Sequence, residues 1–168
     1  MRIRPVNADD LPRLQDIERA AGQCFRDIGM AEIAEDEPLS VGELACYQRS
    51  GPAWAAVDAA DLPGAYLIAE HVDGNLHVEQ VSVHPDHARR GIGRALLNRL
   101  ADDAVTAGVP ALTLTTFTDV PWNAPYYLRC GFRVLDDDEI GPGLSEIRRR
   151  ETAHGLDRWP RVCMRRDL

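Results

Sequence analysis

Residues 81–97, Val-Ser-Val-His-Pro-Asp-His-Ala-Arg-Arg-Gly-Ile-Gly-Arg-Ala-Leu-Leu, constrain this chain more than any other stretch. They open as an apolar strand, turn at Pro85, pass Arg89 and Arg90, and reach Gly91 and Gly93. A helix then begins, with apolar positions at Leu96, Leu97 and Leu100. A strand that runs through glycines into a helix start presents backbone N–H groups with no preceding turn to bond. The helix dipole adds positive potential at the same place. Glycine also lets a bulky anion approach the backbone where a Cβ would obstruct it. The segment reads as a cradle for a diphosphate, although the two glycines also suit plain close packing of a strand-to-helix turn. Two familiar nucleotide loops fail on spacing. No lysine followed by Ser or Thr comes after the last glycine, and Leu96 occupies the third small position of a dinucleotide-binding turn.

Composition narrows the classes of function. A length of 168 residues suits one domain with a proper core. The formal net charge of −8 argues against a nucleic-acid binder, whose surface would be basic. Cys24, Cys46, Cys130 and Cys163 lie far apart with no C-x-x-C pair, which suggests free thiols in a reducing compartment. Met1–Asp10 is polar, and no apolar run has signal-peptide or membrane-spanning length, so the expected location is cytoplasmic and off the membrane. His84 and His87 flank Asp86, but the sequence identifies no further ligands and no metal is expected.

The remaining elements follow in order. Arg2–Val6 reads as a strand, and Asn7 or Asp9 caps a helix carrying Leu11, Leu14, Ile17 and Ala21. From Cys24 to Ser40 the pattern is weak, and Glu32, Glu35, Asp36 and Glu37 concentrate negative charge. A helix over Val41–Arg49 stops at Ser50-Gly51-Pro52. Strands follow at Ala53–Val57 and Ala65–Val72, and Asp73-Gly74-Asn75 signals a hairpin into a strand over Leu76–Val83. After the helix Ile92–Ala107, the strand Ala111–Phe117 should pair in parallel with Leu76–Val83. Asn123 can cap a short helix that Gly131 ends. A strand begins at Phe132, a helix spans Leu144–His154, and a last strand lies within Trp159–Arg165. Together they predict a single α/β domain with a mixed sheet, antiparallel early and parallel in the middle. Leu76 and Val78 differ in parity from Val81 and Val83. Sending all four to one core requires a bulge near Glu79–Gln80, whereas a strand buried on both faces requires none.

The stretch Val81–Leu97 resembles the acyl-CoA-binding motif of the GNAT superfamily of N-acetyltransferases. That motif runs strand, V-x-P, then [QR]-x-x-G-x-[GA] opening a helix, and this chain departs from it at Ala88. Asn123-Ala124-Pro125-Tyr126-Tyr127-Leu128-Arg129-Cys130-Gly131-Phe132 resembles the family's closing motif, with Tyr127 four residues before the glycine. The resemblance implies a GNAT-like fold whose central parallel strands splay to hold acyl-CoA, and it favours the bulged reading. It further implies that the backbone of Val81, Ser82 and Val83 binds pantetheine. Arg89, Arg90, Gly91, Ile92, Gly93 and Arg94 would surround the diphosphate, with Asn123 also on the cofactor. The implied reaction is acetyl transfer from acetyl-CoA to an amine, a small molecule or a peptide, with Glu79 as base and Tyr127 as acid. A homodimer is compatible with this reading. The alternative is a non-catalytic acyl-CoA sensor or interaction domain.

Overall fold

The computed structural model describes residues 1–168. The elements are β1 (Arg2–Pro5), α1 (Leu11–Gly22), α2 (Ala31–Ala34), α3 (Val41–Ser50), β2 (Ala53–Val57), β3 (Pro63–Val72) and β4 (Asn75–Val83). They continue with α4 (Ile92–Thr106), β5 (Ala111–Phe117), α5 (Ala124–Arg129), β6 (Arg133–Val134), α6 (Pro142–Ala153) and β7 (Arg161–Asp167). The strands form one seven-stranded sheet in the order β1-β2-β3-β4-β5-β7-β6. Strand pairs β1/β2, β2/β3, β5/β7 and β6/β7 are antiparallel, and β4/β5 is parallel, as expected of a mixed α/β sheet. The last strand enters between β5 and β6, which leaves the two-residue β6 at the edge.

The chain forms two compact units, residues 1–70 with 79–100, and residues 71–78 with 101–168. The first is built on a core of Leu11, Leu14 and Ile17 from α1, Leu44 from α3, and Ala55, Val57, Tyr66 and Ile68 from β2 and β3. The helical spacing of the α1 residues puts them on one face, and burial of that face holds the helix in place. Asn7, one of the two expected caps, stands at the N-cap of a 3-10 turn over Ala8–Asp10 that runs directly into α1, in a capping box with Asp10. The buried Asp10 carboxylate accepts the Asn7 N–H at 2.7 Å and a two-pronged guanidinium from Arg4 at 2.7 and 3.1 Å. Of the acidic stretch, Glu35 pairs with Arg26 at 3.0 Å and Glu37 with Arg19 at 3.5 Å.

β4 spans Asn75–Val83, with Leu76, His77 and Val78 all buried. Further along, Ser82 is buried while Val81 and Val83 are only half-buried. A register shift is found where β2 meets β3, between Ala56 and Val57. The parallel register of β4 with β5 comprises Leu76–Leu112 and His77–Thr113, although β4 continues to Val83 and β5 to Phe117.

In the second unit the β3–β4 hairpin turns at Asp73 and Gly74, both left-handed with φ of 52° and 79°. That pair of values is what a two-residue turn needs to follow strand twist, and Asp-Gly supplies it. The Asp73 carboxylate also accepts the N–H of Gly143 at 2.8 Å and of Leu144 at 3.0 Å. It thereby caps α6, whose own N-cap residue, Gly141, has no side chain to offer. A Cβ on Gly143 would lie 2.6 Å from Val72 Cγ1, so glycine is what admits the turn.

Charges buried in this unit are compensated. Glu151 of α6 accepts Arg161 Nε and an Arg148 N–H, each at 2.8 Å, and is also bonded by the Thr115 hydroxyl. Burial alone would raise its pKa, but Arg161, Thr115 and Arg148 hold it below the usual carboxylate range. Arg148, Arg149 and Arg150 of α6 pair with Glu151 at 2.8 Å and with Glu146 at 2.6 and 3.6 Å, so the arginines are largely neutralised along their own helix. His77 is buried, with Nδ1 2.9 Å from Thr113 Oγ1. Burial lowers its pKa from 6.5 to about 4, against the opposing pull of Glu151 and Asp73.

Replacing Asp73 by Ala removes the cap on α6 and should lower stability by about 1–2 kcal/mol in urea unfolding. A second outcome concerns pH. The unfolded chain takes up a proton on His77 near pH 6.5 and the folded chain only near 4. The contribution of neutral His77 is therefore complete above pH 6.5 and is lost as pH falls through that window, by up to about 3 kcal/mol. The melting temperature of His77→Gln should accordingly fall less steeply than wild type between these pH values.

Candidate active site

The second half of β4 and the start of α4 are joined by a tightly held turn. The His84 N–H donates to Gly64 O at 2.9 Å, the His87 N–H to His84 O at 2.9 Å, and the Ala88 N–H to Pro85 O at 3.1 Å. The His87 ring covers Gly64, where a Cβ would lie 2.4 Å from its Cδ2 atom. The Asp86 N–H donates to His84 Nδ1 at 3.3 Å. Both histidines thus shape this turn.

Past the turn the backbone becomes left-handed at Arg89 and Gly91, with φ of 62° and 74°. Gly91 is exposed, and no atom lies within 4 Å of the place a Cβ would take. Glycine is needed there for conformation and leaves the approach open. Within α4 the Ala95 N–H bonds back to Gly91 O at 3.0 Å, so the N–H groups before it belong to the first turn. Arg89 and Arg90 are exposed and make no ion pair, and Arg94 is exposed beside them, while Gly93 is buried and Ile92 half-buried. Open backbone donors, a helix N-terminus and the exposed guanidinium groups of Arg89 and Arg90 make a site that fits a diphosphate.

Glu79 is half-buried on β4, immediately before the half-buried Gln80. Side chains of this unit that the sequence reading left unassigned make two further hydrogen bonds. Gln80 Nε2 donates to Ser82 Oγ at 2.8 Å. The Tyr66 hydroxyl donates to Glu18 Oε2 at 2.8 Å. Tyr66 is fully buried, and burial, the charge and bond of Glu18, and the charge of Glu79 push its pKa well up. Glu18 is also raised, first by burial and further by Asp36. The one signal available in sequence was Glu18 itself, a charged residue next to the apolar face of α1.

Asn123 and Tyr127 belong to the second unit. Asn123 stands at the N-cap position of α5, but its side chain makes no capping bond, contrary to expectation. Its carbonyl accepts the Tyr127 N–H at 3.0 Å. The Tyr127 ring packs edge-on against Tyr126 and Phe132, with centroids 5.4 and 5.8 Å away. Burial, then Tyr126 and Cys130, raise its pKa, so the phenol keeps its proton at neutral pH. Gly131, with φ of 90°, ends the helix as expected.

The sequence pattern of the acetyltransferase (GNAT) family matches residues 14–132, from α1 through the glycine loop to the end of α5. The chain belongs to the acetyltransferase (GNAT) family. It is an acetyl-CoA-dependent N-acetyltransferase. The chain is 25% identical over 169 aligned positions to S-(2-succino)cysteine N-acetyltransferase of Bacillus subtilis (strain 168), covering 92% of this chain and 98% of that one. The fold matches an acetyltransferase of the GNAT family from Staphylococcus aureus MU50 with a TM-score of 0.78 at 13% identity, covering 99% and 98% of the two chains. It also matches the PaiA N-acetyltransferase of Thermoplasma acidophilum, solved in complex with coenzyme A, with a TM-score of 0.72 at 15% identity and coverage of 99% and 98%.

Gly91→Val should impair CoA binding in this GNAT chain on two grounds: it strains a left-handed residue and places a branched side chain over the open loop. The expected result is a native circular dichroism spectrum with at least about tenfold weaker CoA binding by calorimetry. Arg89→Gln with Arg90→Gln should weaken binding less and reduce its salt dependence.

Proposed function

We propose that the whole chain, residues 1–168, acts as one transferase domain that moves the acetyl group directly to a primary amine in a ternary complex. The observation that carries this reading is the loop Arg89–Gly91. It is left-handed at Arg89 and Gly91, open at Gly91 and carries the exposed Arg89 and Arg90, and a strand bearing Glu79 leads into it. Acetyl-CoA supplies a thioester carbonyl that a neutral amine attacks, forming the C–N bond as the C–S bond breaks. An alkylammonium of lysine type has a pKa of about 10 and must first lose a proton, which is the role of Glu79. Tyr127, kept protonated by burial, returns a proton to the departing thiolate. Val81, Ser82 and Val83 hold the pantetheine arm by their backbone, Arg89 to Arg94 hold the diphosphate, and Asn123 contributes to the same cosubstrate. The name of the Bacillus subtilis relative makes the amino group of an S-substituted cysteine the first acceptor to test. Four free cysteines support a cytoplasmic setting.

A thiol-release screen of acetyl-CoA against amino acids, S-(2-succino)cysteine, polyamines and peptides tests the reading. CoA binding without release on any amine would overturn it. Within the active reaction, Glu79→Gln should depress the low-pH limb of single-turnover acetyl transfer most, since hydroxide partly replaces the base at high pH. Tyr127→Phe keeps the ring packing and should lower the rate by roughly tens of fold with CoA affinity unchanged. The effect is modest because a thiol with a pKa near 8.5 leaves fairly well unaided.

A further inference from the structure

The turn ahead of the glycine loop is tied to the sheet at Gly64. This residue lies in β3, and the register against β2 passes over it: Ala65 pairs with Ala56 and Pro63 with Val57. An unmatched residue of this kind re-aims the backbone locally. The Gly64 carbonyl accepts the His84 N–H at 2.9 Å, which fixes the first residue of the turn. The His87 ring fixes the last. A Cβ on Gly64 would lie 2.4 Å from His87 Cδ2 and 2.8 Å from Nε2, so the ring lies directly on the bare Cα. Gly64 is not left-handed, so glycine is there for room rather than for conformation. His87 Nδ1 is buried and has no hydrogen-bond partner. The ring is therefore held for its shape, at the cost of one unsatisfied nitrogen.

Just beyond this contact the backbone takes a costly form. Arg89 is left-handed, with φ of 62°, a conformation that a residue bearing a Cβ keeps only where its surroundings impose it. Between His87 and Arg89 stands Ala88, extended at φ −62° and ψ 156°, with its N–H bonded to Pro85 O at 3.1 Å. A ring fixed on Gly64 and a bonded Ala88 leave little slack in where Arg89 begins. We propose that His87 is a positioning residue for CoA binding: its ring, seated on Gly64, imposes the left-handed Arg89 that opens the loop to the diphosphate. This rests on the reading of that loop as the cosubstrate site. His87 acts through the backbone of Arg89 and not by touching CoA. Without the ring Arg89 relaxes toward its ordinary conformations, and CoA has to select the open loop from a minority of molecules.

The experiment uses the full chain, with CoA as the calorimetric probe and circular dichroism to check the fold. His87→Ala uncovers Gly64, and Gly64→Ala pushes the ring away with its new Cβ. Each should weaken CoA binding by about tenfold, as expected when the competent loop falls to about a tenth of the population. The double variant should be no worse than either single one, because both break the same contact. Gly64→Ala removes no side chain and carries the test by itself where His87→Ala fails to fold. Arg89→Gly supplies the readout that a merely structural role would not move. Glycine adopts the left-handed form freely, so in that background His87→Ala should cost less than about twofold. Wild-type CoA affinity in His87→Ala overturns the proposal. So does a tenfold loss that persists beside Arg89→Gly, or a double variant whose losses multiply to about a hundredfold. Failure of the loop reading shows separately, as a Gly91→Val protein that binds CoA as tightly as wild type.

Discussion

Parallel strands cannot be joined by a tight turn, and that constraint organises this molecule. Once β4 and β5 pair in parallel at Leu76–Leu112 and His77–Thr113, the chain must leave β4 and return through a long crossover. Residues 84–110 supply it, with α4 as its body. A crossover helix has to begin somewhere near the end of the strand before it, and its beginning is where backbone N–H groups stand unbonded. The glycine loop is therefore sited by topology. Gly91 and the left-handed Arg89 adapt a place that the sheet had already made necessary.

Two glutamates, one in each unit, are held in opposite ways. Glu151 is surrounded by Arg161, Arg148 and Thr115, and the result is a carboxylate held firmly ionised, whose attraction to its partners offsets its desolvation. Glu18 receives one phenolic hydrogen bond and no cation, and its pKa moves the other way. Sequence composition does not separate them, since each is a glutamate beside apolar residues on an amphipathic helix.

Much of the fold was legible because its signals are local. Asp73-Gly74 specifies a turn that only left-handed residues make, and both adopt it. Leu11, Leu14 and Ile17 specify a buried helix face, and the glycine loop stands between a strand and a helix as its pattern required. What was not legible depends on partners far away in the chain. Val81 and Val83 are only half-buried, while the serine between them is buried and bonded to Gln80. Asn123 had the right residue type for a cap and does not use it. The insertion of β7 between β5 and β6, and the reach of Tyr66 to Glu18, have no counterpart in local pattern.

The cap that Asp73 places on α6 also bears on how the chain assembles itself. The two partners are 70 residues apart, and the helix they start has glycine where a local capping side chain would stand. A helix of this length with no cap of its own is marginal in isolation. Its first turn is completed only when the hairpin is already in place, so α6 is expected to consolidate late. On a ribosome the order is favourable: the turn is made long before the helix, and waits for it. Residues that join late contribute little to the folding rate and much to the rate of coming apart, so the hairpin–helix contact acts as a latch on the second unit.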